Sequence, residues 1–223
     1  MILRQPNWPA GPTAPLLPAG EVHVWRVPLG KGPQFAACRA VLSPEEMARA
    51  RRFVFSKDSE RYITAHGALR LILSRYIPCA PRTIQFAAGE HGKPRLVAPP
   101  TDVRFNLSHS GELILIAVSS GREVGVDVEH VNEEIQFEQI ALRCFDPRDA
   151  WELRIAPQQQ RVTLFFDLWT RMEARLKADG AGIGGEMRGE RWSARNLSPA
   201  SGYAGAVASE GEDWQLACWE WKL

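Results

Sequence analysis

Residues 124–129 alternate valine with glycine, aspartate and glutamate, so this segment carries two carboxylates. In an extended strand successive side chains point to opposite faces, so Gly125, Asp127 and Glu129 share the face that the valines leave. The two carboxylates then lie about 6.5 to 7 Å apart along the strand. Like charges so placed repel unless water screens them or a cation lies between them. Taken alone, the strand is explained by a solvated face without any function. Gly125 adds support for a cation or ligand site, because glycine in a strand often marks a place where another backbone or a ligand approaches.

A further carboxylate lies on a predicted long helix. Thr170, Glu173 and Lys177 follow one another at steps of three and four, so they share one stripe of that helix. An exposed glutamate–lysine pair would explain this spacing without any function. If the stripe instead faces the strand of Asp127, then Asp127, Glu129 and Glu173 could supply oxygens to a hard dication such as Mg²⁺. Substrate phosphates would complete its coordination.

Two predicted turns carry groups that could hold a phosphate. They are Gly92-Lys93-Pro94 and the run Asn106-Leu107-Ser108-His109-Ser110. A lone lysine or histidine in a turn is more often solvated or structural than a ligand, so each signal is weak by itself. A serine nucleophile in the second run is disfavoured, because the strained Gly-x-Ser-x-Gly turn is missing from it.

The helices that position these groups have clear local signals. Ser43-Pro44-Glu45-Glu46 is a capping box, which predicts a short helix from Pro44 to about Arg52. A longer helix is predicted from about Asp58 until Pro78 stops it. Asp146-Pro147 starts another helix. The long helix has a predicted buried stripe and ends at Gly180; the stripe consists of Val162, Phe165, Trp169, Met172 and Leu176.

Short strands are predicted between and after these helices, at 21–27, 84–87, 95–97, 103–107, 113–118 and 124–129. Ser119-Ser120-Gly121 predicts a hairpin between the last two of these strands. The tail, residues 202–223, predicts a second hairpin that is rich in tryptophan. Helices and strands occur in both parts of the chain, which indicates the α+β class.

Composition limits the kind of protein. The 223 residues are 45% hydrophobic and 24% charged, which is typical of a globular protein with a real core. The net charge of +1 argues against a nucleic-acid or membrane partner. Four scattered cysteines and the lack of a long apolar run predict a cytoplasmic protein. Prolines at every third position from Pro6 to Pro18 predict an extended arm that covers another surface.

Several of these motifs, taken in order, resemble those of the Sfp-type 4′-phosphopantetheinyl transferases. The resemblance covers about residues 40 to 185, and residues 202–208 look like the closing strand of that family. Its motifs are Ser43-Pro44-Glu45 with Arg49, Gly92-Lys93-Pro94, Asn106-Leu107-Ser108-His109-Ser110, Gly125-Val126-Asp127-Val128-Glu129, and the helix segment from Trp169 to Lys177.

The resemblance implies two similar α+β halves related by a pseudo-twofold axis. We therefore expect a proline-rich arm at 1–20, an N-terminal half at 21–120 and a C-terminal half at 121–223 that carries the acidic residues. It also implies a monomeric enzyme that moves the 4′-phosphopantetheine group from coenzyme A to a serine of an apo acyl or peptidyl carrier protein. The other product is adenosine 3′,5′-bisphosphate.

The resemblance further implies a role for each matching residue. Asp127, Glu129 and Glu173 would hold Mg²⁺ against the pyrophosphate. Glu173 would act as general base on the serine hydroxyl, and Lys177 would steady or protonate the leaving phosphate. The nucleotide and its 3′-phosphate would contact Arg49, Arg52, His91, Lys93, Ser108 and His109.

One departure from the family pattern leaves a second function open. The family usually has lysine immediately before the helix glutamate, where this chain has Met172. We expect Met172 to pack on the apolar side of the helix. The alternative is therefore a homologue that binds coenzyme A and the carrier protein but has weak or no transferase activity. A metal-dependent nuclease would also use acidic residues, but the net charge of +1 makes this class unfavourable.

Overall fold

The computed structural model describes residues 8–89, 92–181 and 191–223. The first half of the chain contains, in order, β1 (Glu21–Pro28), α1 (Pro33–Val41), α2 (Pro44–Ala50), α3 (Ser56–Leu73), β2 (Gln85–Ala88), β3 (Pro94–Ala98), β4 (Val103–Ser110) and β5 (Leu113–Ser120). The second half contains β6 (Val124–His130), α4 (Glu138–Cys144), α5 (Pro147–Ile155), α6 (Gln158–Asp179), β7 (Trp192–Leu197), β8 (Tyr203–Glu210) and β9 (Gln215–Glu220).

The predicted helix ends have the expected local interactions. In α2, Ser43 Oγ accepts a hydrogen bond from Glu46 N, and the Glu46 carboxylate accepts one from Ser43 N, which completes the capping box. Asp146 caps α5 by accepting a hydrogen bond from Asp149 N. Gly180 ends α6 in the left-handed conformation, with φ at 77°. The sequence patterns did not predict α1, α4 or β7.

Both halves use one strand order. The first sheet has β5 between β4 and β1, and the second has β8 between β7 and β6; all four pairings are antiparallel. In each half, three helices follow the first strand, and the other two strands of the sheet come after them. In the first half, the β2–β3 pair lies between these helices and β4. The predicted α+β fold with two similar halves is therefore confirmed. Strand β9 pairs in parallel with β1 and so adds the C-terminal strand to the first sheet.

The two predicted hairpins, one around residues 119–121 and one in residues 202–223, are both wrong. Strands β5 and β6 flank the turn at Gly121, but β5 pairs with β1 and β4 whereas β6 pairs with β8. Strands β8 and β9 likewise belong to different sheets. The turn residues are compatible with a hairpin, but each strand finds its hydrogen-bond partners elsewhere. The chain therefore passes from one half to the other at each of these turns.

The core continues through both faces of β5. Ile114 and Ile116 pack with α3 and Trp25 on one face of the sheet. Leu115, from the opposite face, packs against Val126 of β6, in a second core between the two sheets. A strand that is buried on both faces reads as a continuous apolar run, as residues 113–118 do. This second core joins the two halves beside the strand that carries Asp127.

The described part of the predicted arm, residues 8–20, covers both halves as an extended segment. Trp8 Nε1 donates a hydrogen bond to Ser198 O in the second half. Gly11 N donates to Glu220 O at the edge of the first sheet. Gly11 also touches Trp25 so closely that an added Cβ would lie 2.0 Å from its ring. The prediction of a covering segment is confirmed for these residues.

The four cysteines, Cys38, Cys79, Cys144 and Cys218, are free thiols. Burial raises the pKa of Cys38 and of Cys218 to about 12, so both thiols stay protonated at neutral pH. None of the helices in the described ranges is long and apolar enough to cross a membrane.

Candidate active site

Strand β6 and helix α6 lie in direct contact at the predicted carboxylates. Val126 points into the core between the sheets, and Gly125 and Asp127 face the helix. A Cβ on Gly125 would lie 2.0 Å from Ala174 O and 2.4 Å from Ala178 N, both in α6. The close approach predicted at this glycine is therefore an approach of helix backbone. Only glycine permits it without a shift of α6.

The stripe of α6 that includes Glu173 and Lys177 faces β6. Thr170 is fully buried, and Glu173 is 4% exposed. Lys177 Nζ lies 2.6 Å from Asp127 Oδ1 and 3.0 Å from Ser108 Oγ. The lysine thus pairs with the strand carboxylate, and the alternative of a solvated glutamate–lysine pair is wrong. The burial of these polar groups departs from the usual pattern, in which an amphipathic helix buries its apolar stripe.

The three carboxylates interact electrostatically inside this interface. Burial raises the pKa of Asp127 above its usual range, although Lys177 and Ser108 act in the opposite direction. Burial also raises the pKa of Glu173, and the negative charge of Asp127 raises it further. The pKa of Glu129 is raised by burial, against the hydrogen bond that Ser110 donates to it. A site with this much negative charge favours a cation.

Two carboxylate oxygens in the site have no hydrogen-bond partner. They are Asp127 Oδ2 and Glu173 Oε1, and both are buried. An unpaired buried carboxylate oxygen is costly unless a cation completes its coordination, and oxygen is the ligand that Mg²⁺ prefers. The donor set therefore fits a hard dication. Within the described ranges, His, Cys, Asp and Glu side chains form no group of three already spaced to hold a metal ion.

Ser108 and His109 are adjacent but have different surroundings. Ser108 is buried and its hydroxyl donates a hydrogen bond to Asp127 Oδ1, 2.9 Å away. His109 points to the other face of β4, and loss of solvation and then the charge of Arg61 lower its pKa. The family resemblance implies that both residues contact the nucleotide. The structure brings Ser108, but not His109, into hydrogen-bond contact with the carboxylates.

A cluster of arginine and histidine side chains lies on the His109 side of β4. The Arg49 guanidinium lies 5.5 Å from the centre of the Tyr62 ring. His66, which none of the sequence patterns indicated, packs against Tyr62 with 4.0 Å between ring centres and an angle of 31° between the ring planes. Burial lowers its pKa to about 4. The Glu46 carboxylate, 3.8 Å from the ring, acts in the opposite direction, and the charges of Arg49 and Arg70 act in the same direction as burial. The only signal for His66 is its position one helical turn after Tyr62.

Two further residues, Arg52 and His91, are predicted to contact the nucleotide. Arg52 is exposed just after α2. His91 lies outside the described residues.

Lys93 lies at the far end of α6. Its ammonium donates hydrogen bonds to Glu123 Oε2 at 2.7 Å, Ala178 O at 2.9 Å and Val124 O at 3.2 Å. These three bonds use all the hydrogens of the ammonium group. Lys93 therefore holds the β3 segment against the end of α6 and the start of β6. Its predicted contact with a nucleotide stays a prediction.

A cleft of about 850 Å³ opens between β3, β4 and the end of α6. Its lining residues include Lys93, Arg95, Arg104 and Gly180. They do not include Asp127, Glu129 or Glu173. The cleft therefore lies beside the Asp127 site and not over it. Its volume is that of a typical small-molecule site.

Met172 is half-buried on α6. Of the predicted apolar stripe, Phe165 and Leu176 are buried, whereas Val162 and Trp169 are partly buried against the core near α4. The neighbouring Arg171 lies 3.9 Å from Asp149 of α5. Arg171 therefore contacts α5, and does not replace the missing lysine in the carboxylate site.

Comparison with known proteins identifies the family. Residues 28–121 match "4'-phosphopantetheinyl transferase, N-terminal", and residues 123–221 match the "4'-phosphopantetheinyl transferase superfamily". The chain is 35% identical to the 4'-phosphopantetheinyl transferase HetI of Nostoc sp., over 97% of this chain and 99% of that protein. It is 31% identical to the 4'-phosphopantetheinyl transferase Sfp of Bacillus subtilis, over 64% of this chain and 62% of that protein. The chain therefore belongs to the 4'-phosphopantetheinyl transferase superfamily.

Proposed function

We propose that this transferase moves 4′-phosphopantetheine from coenzyme A to a serine of an apo acyl or peptidyl carrier protein, with Mg²⁺, and releases adenosine 3′,5′-bisphosphate. One observation supports it most. Asp127 and Glu173, from separate elements, each keep a buried carboxylate oxygen without a partner, next to the ammonium of Lys177. A cation and a fixed ammonium are what a bound diphosphate requires.

Asp127, Glu129 and Glu173 are the residues that would hold Mg²⁺. Bound there, the ion would neutralise charge on the pyrophosphate of coenzyme A and help to align it. Only two of the carboxylate oxygens are buried without partners, which suits an ion that keeps water and phosphate ligands. Side-chain adjustment on binding would bring in Glu129.

The chain's own residues can move the proton and hold the leaving group. The serine oxygen attacks the phosphorus that bears the pantetheine arm, and the bond from that phosphorus to the bridging oxygen breaks. Glu173 accepts the hydroxyl proton, and its raised pKa makes it a better base than an exposed glutamate. Lys177 stabilises or protonates the departing phosphate.

A separate group of residues would bind the nucleotide. Arg49 and His109 belong to the arginine and histidine cluster, where the guanidinium of Arg49 supplies the positive charge that suits a 3′-phosphate. His66 adds a neutral ring there. Arg52, His91, Lys93 and Ser108 complete the proposed substrate-binding set. Lys93 and Ser108 already hold protein groups, so any contact they make with the nucleotide adds to a structural role.

We also propose a monomer in the cytoplasm, without a nucleic-acid or membrane partner. Its division would be an arm at 1–20 and halves at 21–120 and 121–223. The net charge of +1 and the four free thiols support this assignment. Both halves of the site belong to one chain, so no second copy is needed to complete it.

The test is incubation of the chain with coenzyme A, Mg²⁺ and an apo carrier protein, followed by intact-mass measurement. We expect the carrier to gain one phosphopantetheine, and expect Asp127→Asn to abolish the gain. If the chain binds coenzyme A in an Mg²⁺-dependent manner by calorimetry and modifies none of several carriers, the alternative of a binding homologue replaces this proposal. The substitution of lysine by Met172 is the feature that favours that alternative.

A further inference from the structure

Alternate side chains of β4 face the open edge of β6. These two strands belong to different sheets, and each is the outermost strand of its sheet. Val126 N donates to Asn106 Oδ1 at 2.9 Å, and Val128 N donates to Ser108 Oγ at 3.4 Å. His130 N donates to Ser110 Oγ at 3.0 Å.

We call this set of contacts the seam. Three side chains of one strand take the place of the backbone carbonyls that a neighbouring strand would offer to β6. The bonds of Val126 N and Val128 N are buried, and buried N–H groups are nearly always paired, so these two bonds remove a cost from burying this edge. The bond of His130 N lies at the exposed end of the seam. Each pair is separated by 20 residues in the chain, so the register is constant.

The seam also holds two of the carboxylates. Ser108 Oγ donates to Asp127 Oδ1 at 2.9 Å, and Ser110 Oγ donates to Glu129 Oε2 at 2.8 Å. Each serine thus bonds a carboxylate and the N–H of the next residue along β6. Such a pair of bonds fixes the side chain of the carboxylate relative to its own backbone. A hydroxyl with two such partners is a device for orientation.

Ser108 has no free hydrogen-bonding capacity left. Its hydroxyl donates to Asp127 and accepts from Val128 N and from Lys177 Nζ, which lies 3.0 Å away. A serine hydroxyl has one hydrogen and two lone pairs, so all three are used. Ser110 has no third partner among the described residues, and its link to Glu129 can be tested without disturbing Lys177.

We propose that Ser110 is a positioning residue that fixes the Glu129 carboxylate of this transferase for a divalent cation. Its effect on activity rests on the proposed function, but its effect on cation binding does not. The period-two placement of Asn106, Ser108 and Ser110 is explained by the seam and requires no contact with substrate.

The experiment compares Ser110→Ala with Ser110→Thr, which keeps the hydroxyl. Ser120→Ala, at the half-buried end of β5, is the matched control for loss of a strand hydroxyl. Three quantities are measured: hydrogen exchange at the His130 amide by NMR, affinity for Mg²⁺ alone by calorimetry, and the KM for Mg²⁺ and kcat of carrier modification.

We expect Ser110→Ala to exchange the His130 amide about five-fold faster, because one hydrogen bond is lost. We expect it to bind Mg²⁺ about ten-fold more weakly. Its KM for Mg²⁺ should rise while kcat at saturating Mg²⁺ is retained, whereas a lower fraction of folded protein would reduce kcat. Ser110→Thr and Ser120→Ala should resemble the unsubstituted chain in all three measurements.

The inference is overturned if Ser110→Ala leaves the His130 exchange rate and the Mg²⁺ affinity unchanged. It is also overturned if the threonine variant is impaired as strongly as the alanine variant, or if the unsubstituted chain binds no Mg²⁺. A chain that modifies no carrier, but shows the expected exchange and affinity changes, would disprove the proposed function and support the role of Ser110.

Discussion

Lys177 Nζ, on α6, lies 2.6 Å from Asp127 Oδ1, on β6. Asp127 is almost completely buried, whereas the lysine side chain is 31% exposed. The ammonium thus reaches from solvent to a carboxylate that has no other cation among the described residues. The relationship gives the site a positive group that can stay in place, or turn toward a bound phosphate.

Lys177→Met should destabilise the chain more than the loss of an exposed ion pair. It leaves a buried carboxylate without its cation, and we expect the free energy of unfolding to fall by about 3 kcal/mol in the absence of Mg²⁺. Saturating Mg²⁺ should raise the Tm of this variant more than that of the unsubstituted chain, because the ion replaces the lost charge. Equal increases in Tm would contradict a cation site at Asp127.

Gly125→Ala should force β6 and α6 apart. The added Cβ would meet Ala174 O and Ala178 N, which are backbone atoms of a helix and cannot turn aside. We expect a loss of about 1 to 3 kcal/mol in urea unfolding and a weaker affinity for Mg²⁺. Gly30→Ala is the control, since nothing lies within 4 Å of its added Cβ. Similar stability of the two variants would show that the helix approach is not tight.

Lys93→Met should lower stability even without a nucleotide. The ammonium donates to a carbonyl of α6 and to one of β6, so its removal takes one donor from each of them. It also leaves Glu123 with Arg104, 3.4 Å away, as its ion-pair partner. We expect a decrease of about 1 to 3 kcal/mol in the free energy of unfolding. The control Lys57→Met removes an ion pair whose side chains are 64% and 61% exposed, and should change stability by less than about 1 kcal/mol. The opposite result would be a variant that is as stable as the unsubstituted chain without coenzyme A and less stable only when coenzyme A is added. Lys93 would then act as a ligand contact alone.

Acid should destabilise the chain through its buried histidines. Burial lowers the pKa of His23, and it lowers the pKa of His66 to about 4, from 6.5. The unfolded chain therefore binds protons at these residues at a higher pH than the folded chain does. Their contribution to stability is complete above about pH 6.5 and falls as the pH decreases toward 4.

The measurement is Tm between pH 7 and pH 4.5, for the unsubstituted chain and for His66→Gln. The variant should lose less stability over this range, because one of the titrating groups has been removed. Parallel curves would show that His66 is not shielded from protonation in the folded state. Glu46, Arg49, Arg70 and His109 also act on this ring, and they remain the same in both proteins.

Much of the local structure could be predicted from the sequence, because it depends on neighbours in the chain. The capping box at Ser43 and the glycine at position 180 fixed helix ends through contacts within one turn. Alternation along β6 placed Gly125, Asp127 and Glu129 on one face, since a strand has a period of two. Family motifs supplied the residues expected in the site.

The partners of these elements were decided by the tertiary structure. Residues 113–118 and 124–129 look like the arms of a hairpin, because turn signals do not specify which strands pair. The polar stripe of α6 is buried only because it meets Gly125 and Asp127 across a distance of 50 residues in the chain. Lys93 and Ser110 both form hydrogen bonds with backbone atoms of segments that are remote in the chain. Sequence patterns specify which face a side chain occupies, whereas hydrogen-bond partners across the fold are set only when the two halves pack together.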